Sequence, residues 1–285
     1  GVITLTSSPV AVPASFTGMQ ILKGTTPTGF TSPWARNWDQ SNAASGNAAV
    51  VKHIGTAFGV FDWSRFNLFM DNNVGKKILF TLGVPADWMI PGRSAVGGAN
   101  YGGKSNMCPT GATELTANYI PVVEAIVTRA RDVYGVTGIT WELWNEIEGP
   151  GMLHPSQLSL LAPMARETYA AIKAIDPTAI VTTPSARDDD TAYFVRDFLS
   201  SSDGAGGNGG DHVDAIAYHF YGLNSPWTWK YTCDVYNNFA ITAGYPGLPL
   251  YITESGMLKP TPDSEVILQR RIFVFAACGV QCFIA

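Results

Sequence analysis

Short apolar runs alternate along the chain with longer segments in which hydrophobic positions recur every three or four residues. The short runs are FTGMQIL (16–22), PWARNW (33–38), KKILFTLG (76–83), GITWELWN (138–145), AIVTTPS (179–185), VDAIAYHF (213–220), LPLYITE (248–254) and VQCFIA (280–285), all of strand length. NYIPVVEAIVTRARDVYG (118–135) and PSQLSLLAPMARETYAAIKAIDP (155–177) carry the helical period and finish at Gly or Asp-Pro. DWSRFNLFMDNNVG (62–75), with Asp62 as N-cap, TAYFVRDFLSS (191–201) and SEVILQRRIFVFAACG (264–279) are predicted helices as well. TTPTGFTSP (25–33) is too rich in Pro and Gly for a first crossover helix and reads as a loop, and GAGGNGG (204–210) reads as a flexible one.

Eight strands with intervening helices predict an α/β fold, a single (β/α)8 TIM barrel over residues 1–285, with its active site where the carboxyl ends of the strands meet the loops. The eighth predicted strand coincides with the end of the sequence, where a closing helix is expected. Either the chain is a fragment or residues 1–15 fill part of that place.

Composition narrows the partners. Hydrophobic residues make up 46% of the chain, ample for a full core, while charged residues are only 14%. A net charge of −5 with no Lys/Arg-rich run argues against nucleic acid or an anionic membrane and favours an uncharged substrate. No apolar run reaches membrane-spanning length. GVITLTSSPV at the amino terminus does not read as an export signal, though a chain whose signal has been removed looks the same. Cys108, Cys233, Cys278 and Cys282 form no CxxC and no zinc-spaced cluster, so neither a metal nor a cofactor is expected. Cys108 and Cys233 lie in stretches read as loops, and both a disulfide between them and free thiols fit the pattern.

The chemistry concentrates in WELWNEIEGPG (141–151), which delivers Asn145 and Glu146 to a strand tip. Alternation places Glu142, Trp144 and Glu146 on one face and Trp141, Leu143 and Asn145 on the other. Glu254, in LPLYITESG, ends a second apolar strand at the same rim. Cleavage of a glycosidic bond needs such a pair, one group to protonate the departing oxygen and one to attack the sugar carbon or activate water there.

WNE at the end of the fourth strand and TES at the end of the seventh resemble the acid/base and nucleophile motifs of the clan A glycoside hydrolases. PWARNWDQ, FDWSRFNLFMDNNVGKKILFTLGVPADWM, WELWNEIEG, TPSA, YHFY and ITESG together look most like glycoside hydrolase family 39, from about residue 16 onward. The resemblance implies a retaining mechanism with Glu146 as general acid/base and Glu254 as nucleophile. It implies that Asn145 bonds the sugar hydroxyl next to the reacting carbon, and that Arg36 lies beneath the nucleophile. His219 and Tyr221 would line the innermost subsite, with Tyr221 in reach of Glu254. In that scheme Glu254 starts ionised and Glu146 protonated, so the Glu146 pKa is expected to be raised. The chain departs from the family pattern at Ile147, where Pro is usual, and the aromatic residue that commonly follows the eighth strand would fall past Ala285, the last residue of the sequence.

Trp88, Trp227 and Trp229 fall in stretches read as loops at the same rim. They are candidates either for stacking on sugar rings or for packing under those loops. Of Trp34 and Trp38, which flank Arg36, at least one is expected in the core. Glu142 is expected to be structural, satisfied by a buried cation such as Arg36. Asp87, Glu148 and His154 read as loop polar groups, and Asp188 to Asp190 as helix capping.

The reading is a secreted or periplasmic retaining hydrolase of β-linked oligo- or polysaccharide. Long third and sixth βα loops favour endo action. The alternatives are an exo-acting β-glycosidase such as a β-xylosidase, a carbohydrate-binding barrel without catalysis, a phosphate-substrate lyase or aldolase, and an inverting hydrolase.

Overall fold

A parallel sheet must bury both of its faces, and residue alternation along the strands divides the core of this protein in two. The computed structural model describes residues 17–20, 32–37, 51–96, 104, 107–147, 153–187, 193–221, 226–255 and 264–284. Within them all eight expected strands form: β1 (Thr17–Gln20), β2 (Trp34–Asn37), β3 (Lys77–Thr81), β4 (Thr140–Glu142), β5 (Ile180–Thr182), β6 (Ile216–Phe220), β7 (Leu250–Ser255) and β8 (Cys282–Ile284). They make one sheet in the order β5-β4-β3-β2-β1-β8-β7-β6, parallel throughout. At its two edges, Thr182 of β5 bridges to Ala215, just before β6, and Ala186, beyond β5, to Tyr218 of β6, again in parallel.

Ala35, Ile78, Phe80, Trp141, Val181, Ile216, Tyr218, Ile252 and Phe283 belong to a large cluster shared with the helices. Their chain neighbours Trp34, Leu79, Ala215, Tyr251, Cys282 and Ile284 form a second, smaller cluster on the opposite face. Two residues along from that apolar layer, the same face turns polar at Arg36, Thr81, Glu142, His219 and Thr253, all fully buried. Trp34 is the core member of the Arg36-flanking pair, and Trp38 lies outside the described residues.

The helices are α1 (Val51–Ile54), α2 (Ser64–Asn72), α3 (Ile120–Tyr134), α4 (Leu161–Ile175), α5 (Tyr193–Ser200), α6 (Pro226–Thr242) and α7 (Ser264–Ala277). Asp62 accepts the Ser64 amide at 2.9 Å at the entry to α2, and Phe66 stacks on Phe80, which stacks in turn on Trp141. α3 ends at Gly135 in the left-handed conformation (φ 65°) that a helix stop of this kind favours. Among the elements not predicted are α1, α6, a wide-turned helical segment, Gly111–Tyr119, that leads into α3, and a hairpin pairing Gly55–Ala57 with Val60–Phe61.

Three expectations are corrected. Residues 204–210 are a tightly bonded turn: the Asp203 carboxylate accepts the amides of Ala205 (2.7 Å) and Gly207 (2.9 Å), and a β-carbon on Gly210 would come within 2.2 Å of the Tyr245 ring. Trp227 and Trp229 lie on α6, not on a loop. Cys233 is also on α6, its thiol free and hydrogen-bonded to that of Cys278, so it makes no disulfide with Cys108, itself a buried free thiol. Among the described residues no helix is long and apolar enough to cross a membrane. Glu148 and Asp188 to Asp190 lie outside the described residues. His154 caps a short turn, accepting the Ser156 amide at 3.3 Å.

Candidate active site

Arg36, fully buried on β2, organises the site. Its Nη1 donates to Glu254 Oε2 at 2.7 Å; its Nη2 donates to Glu142 Oε2 at 2.6 Å and Asn145 Oδ1 at 2.9 Å. Thr81 and Thr253 each donate a hydroxyl to Glu142 at 2.5 Å. Burial pushes the Glu142 carboxyl up, but the Arg36 charge and the bonds from His219 and Thr253 outweigh it and hold the group well below the carboxylate range. Glu142 is thus a buried anion that anchors Arg36.

Strand alternation stops where β4 stops, at Glu142. Trp144 joins Trp141 in the large core, while Asn145 meets Glu142 on Arg36. The expected grouping of Glu142, Trp144 and Glu146 therefore fails at Trp144. Glu146 follows in a left-handed backbone (φ 44°), the only non-glycine among the described residues with a positive φ. Such a conformation is costly for a side chain with a β-carbon. This bend brings two consecutive residues, Asn145 and Glu146, to one place.

From β6, His219 Nδ1 lies 2.9 Å from Glu146 Oε1. Oxygen atoms of Glu146 and Glu254 and a ring nitrogen of His219 all lie within 4.8 Å of one another. Both carboxylates keep some exposure, 17% for Glu146 and 12% for Glu254, whereas His219 has none. Burial opposes charge on His219, but the Glu254 charge and hydrogen bonds to Glu142 and Glu146 overcome it and raise its pKa to about 9. The two hydrogens of Arg36 Nη2 are committed to Glu142 and Asn145, so His219 Nε2, 3.3 Å away, can carry its own proton, facing Glu142 Oε1 at 3.9 Å.

The same bond overturns the expected rise at Glu146. Burial does push that carboxyl up, but the hydrogen bond and charge of His219, with Arg187 and Arg36 behind them, hold it below its ordinary value. The two shifts together favour the proton on the imidazole over the carboxyl. Glu146, His219 and Glu254 could also offer ligand atoms to a cation, but the guanidinium and imidazolium already supply positive charge to them.

The other site candidates are scattered. Tyr221 follows β6 immediately and is half-buried. Trp88 sits on a short turn, Asp87–Met89, after β3, beside exposed Asp87. It donates Nε1 to the Gly55 carbonyl at 2.8 Å and meets the exposed ring of Phe58 edge-on. Trp227, at the start of α6, is 80% exposed; Trp229 is 2% exposed, packed into the core with the Arg271 guanidinium over its ring. Trp229 is therefore structural. Sequence reasoning missed Thr81 and Thr253, legible only as strand positions two residues from core residues, and Phe58, hidden in an unpredicted hairpin. It also missed Ser185, whose hydroxyl accepts the Glu146 amide at 3.2 Å.

No known family profile matches the sequence, and no curated protein matches it. Solved structures do match by fold. A β-xylosidase from Caulobacter crescentus CB15 superposes with a TM-score of 0.59 at 22% identity over 79% of this chain and 48% of its own. The GH39 enzyme from Xanthomonas axonopodis pv. citri gives 0.62 at 18% identity, over 88% of this chain and 51% of its own. A psychrophilic glycoside hydrolase family 10 endo-β-1,4-xylanase gives 0.62 at 14% identity, over 94% of this chain and 85% of its own. The chain spans about half the length of the family 39 structures. These neighbours are TIM-barrel glycoside hydrolases. The resemblance that the motifs carry is thus joined by a likeness of fold, shared by the family 39 and family 10 structures alike.

Proposed function

We propose that this chain is a retaining glycoside hydrolase that cleaves β-linked oligo- or polysaccharide on a closed (β/α)8 barrel, and that it acts outside the cytoplasm. The observation that carries the reading is the convergence of Glu146 and Glu254, 108 positions apart in sequence, with carboxylate oxygens within 4.8 Å and both side chains partly exposed. Retaining enzymes hold their two carboxyl groups about 5 to 5.5 Å apart, and inverting ones leave room for a water, about 6.5 to 9.5 Å. Closure of the barrel is supported by the two parallel bridges between β5 and the chain entering β6, with the Asp214 amide donating to the Val181 carbonyl at 2.7 Å.

In the first half-reaction Glu254, held by Arg36 at 2.7 Å, attacks the anomeric carbon as the bond to the leaving oxygen breaks. The proton shared by His219 and Glu146 passes to that oxygen through Glu146, leaving the pair one proton short. In the second, Glu146 takes a proton from water, which attacks the same carbon and releases Glu254. Attack from opposite faces in turn retains configuration. The Asn145 amide, its oxygen held by Arg36, is left to donate to the sugar hydroxyl beside the reacting carbon, and Tyr221 completes the innermost subsite. Trp88, Phe58 and exposed Trp227 offer stacking faces farther out, an open arrangement that suits endo action. The family 39 β-xylosidase neighbour favours the exo alternative.

Wild type, Glu146→Gln and Glu254→Gln should be screened against β-linked polysaccharides and aryl β-glycosides, with product anomers followed by NMR. Wild type is expected to release the β-anomer first, Glu254→Gln to lose activity by about 10⁴-fold or more, and Glu146→Gln by about 10²- to 10⁴-fold on unactivated substrates. Undiminished hydrolysis by either variant removes that carboxylate from the mechanism; initial release of the α-anomer makes the enzyme inverting.

A further inference from the structure

Glu146 holds a backbone conformation that its residue type disfavours, and something must hold it there. The segment after β5 supplies the clamp. The Ser185 amide donates to the Trp144 carbonyl at 2.9 Å, the Ile147 amide donates to the Ser185 carbonyl at 3.3 Å, and between them the Glu146 amide donates to Ser185 Oγ at 3.2 Å. The Ser185 hydroxyl in turn donates to the Trp144 carbonyl at 3.3 Å. Four hydrogen bonds thus brace both sides of the turn, and Ser185 is completely buried beneath it.

The same segment reaches the histidine. Thr183 Oγ1 accepts the Ala217 amide at 3.0 Å, and the Ala186 carbonyl accepts the His219 amide at 2.8 Å. Residues 183–186 therefore hold, through one short stretch of backbone, both the Glu146 main chain and the His219 main chain whose side chains meet at 2.9 Å. Of the four bonds that brace the main chain of the Glu146 turn, the two made by the Ser185 hydroxyl are the ones that mutation can remove without touching the backbone.

We propose that Ser185 is a positioning residue for the acid/base: its hydroxyl fixes the left-handed turn at Glu146 and so sets the carboxyl against His219 and the leaving-group oxygen. The proposal rests on the reading of Glu146 as general acid/base. It differs from a general stabilising role because it predicts dependence on the leaving group. A departing 2,4-dinitrophenolate needs no proton, whereas phenolate does.

The test compares kcat/KM for phenyl and 2,4-dinitrophenyl β-D-xylosides, or the matching β-D-glucosides if the parent prefers them. Parent, Ser185→Ala, Ser185→Cys, Ser185→Thr and Glu146→Gln are measured side by side. Ser185→Ala and Ser185→Cys are expected to lose about 10- to 100-fold on the phenyl glycoside and to stay within about 3-fold of parent on the dinitrophenyl one. Ser185→Thr, which keeps a hydroxyl, is expected to recover most of the phenyl activity. The ratio of the two rates within one preparation cancels any loss of folded protein. Equal losses on both substrates, or no loss on either, overturn the proposal while Glu146→Gln still shows the selective defect. If Glu146→Gln shows no such selectivity, the acid/base reading falls and takes the proposal with it.

Discussion

Arg36 and His219 between them face three carboxylates, and which of the three keeps exposure decides what each does. Glu142 has none and is locked by Arg36 and two threonine hydroxyls; Glu146 and Glu254 each keep some. The imidazolium gives this arrangement a pH dependence of definite sign. Its pKa rises from the ordinary 6.5 to about 9. The charged form therefore contributes stability in full below about pH 6.5 and loses it as pH climbs through 9. The stability difference between parent and His219→Gln, from chemical denaturation at several pH values, is expected to fall by on the order of 3 kcal/mol across that window. A difference that stays flat or grows would mean that the imidazole is neutral in the folded protein. Little of this was legible beforehand. WNE and TES announce the carboxylates, and the burial of Glu142 demands a cation, but the proton balance at Glu146 depends on a histidine 73 positions away.

Among the elements, α6 shows where periodicity misleads. Its buried residues, Trp229, Thr232, Cys233, Tyr236 and Ala240, keep helical spacing, but Trp227 and Tyr231 stand on the exposed side, so apolar residues ring the helix. Preceded by Asn-Ser-Pro, the segment reads as an aromatic loop. The structure separates its two tryptophans by function. Trp229→Ala is expected to cost about 3 to 5 kcal/mol in denaturant unfolding, as removal of a fully packed aromatic does. Trp227→Ala is expected to change stability by less than about 0.5 kcal/mol and to be read instead in the KM for longer oligosaccharides. If Trp227→Ala is silent there, the ring lies off the substrate path. The opposite case is residues 204–210, where five glycines among seven residues suggest flexibility but serve close packing. Composition shows that the backbone is free to bend; only the neighbours Phe198, Asp203 and Tyr245 show that it is held.

For the whole molecule, the strand count and order were legible because each strand of a parallel sheet is a short apolar run followed by a helix, a pattern that survives weak local signals. Closure of the predicted barrel depends instead on register between β5 and β6, the consecutive strands at the two ends of the sheet order. The bonds that join these edges are few and specific. The Asp214 amide donates to Val181 and the Thr183 amide to Ala215 at 2.9 Å, while the Asp214 carboxylate accepts the Val181 amide at 2.8 Å and pairs with Lys173. A closed barrel makes these amides part of the cooperative core, so their hydrogen exchange is expected to be as slow as that of Leu79 and Phe80 in β3. Open edges would let Thr183 and Asp214 exchange orders of magnitude faster than the central strands. Asp214→Ala should selectively speed exchange at Val181 and its neighbours if the carboxylate helps to close the seam. Under the proposed function the seam also bears on catalysis, because residues 183–186 carry the braces of both Glu146 and His219. Loosening it is then expected to misalign these two side chains before the sheet unfolds, so activity on phenyl glycosides should fall at a lower denaturant concentration than tryptophan fluorescence reports unfolding.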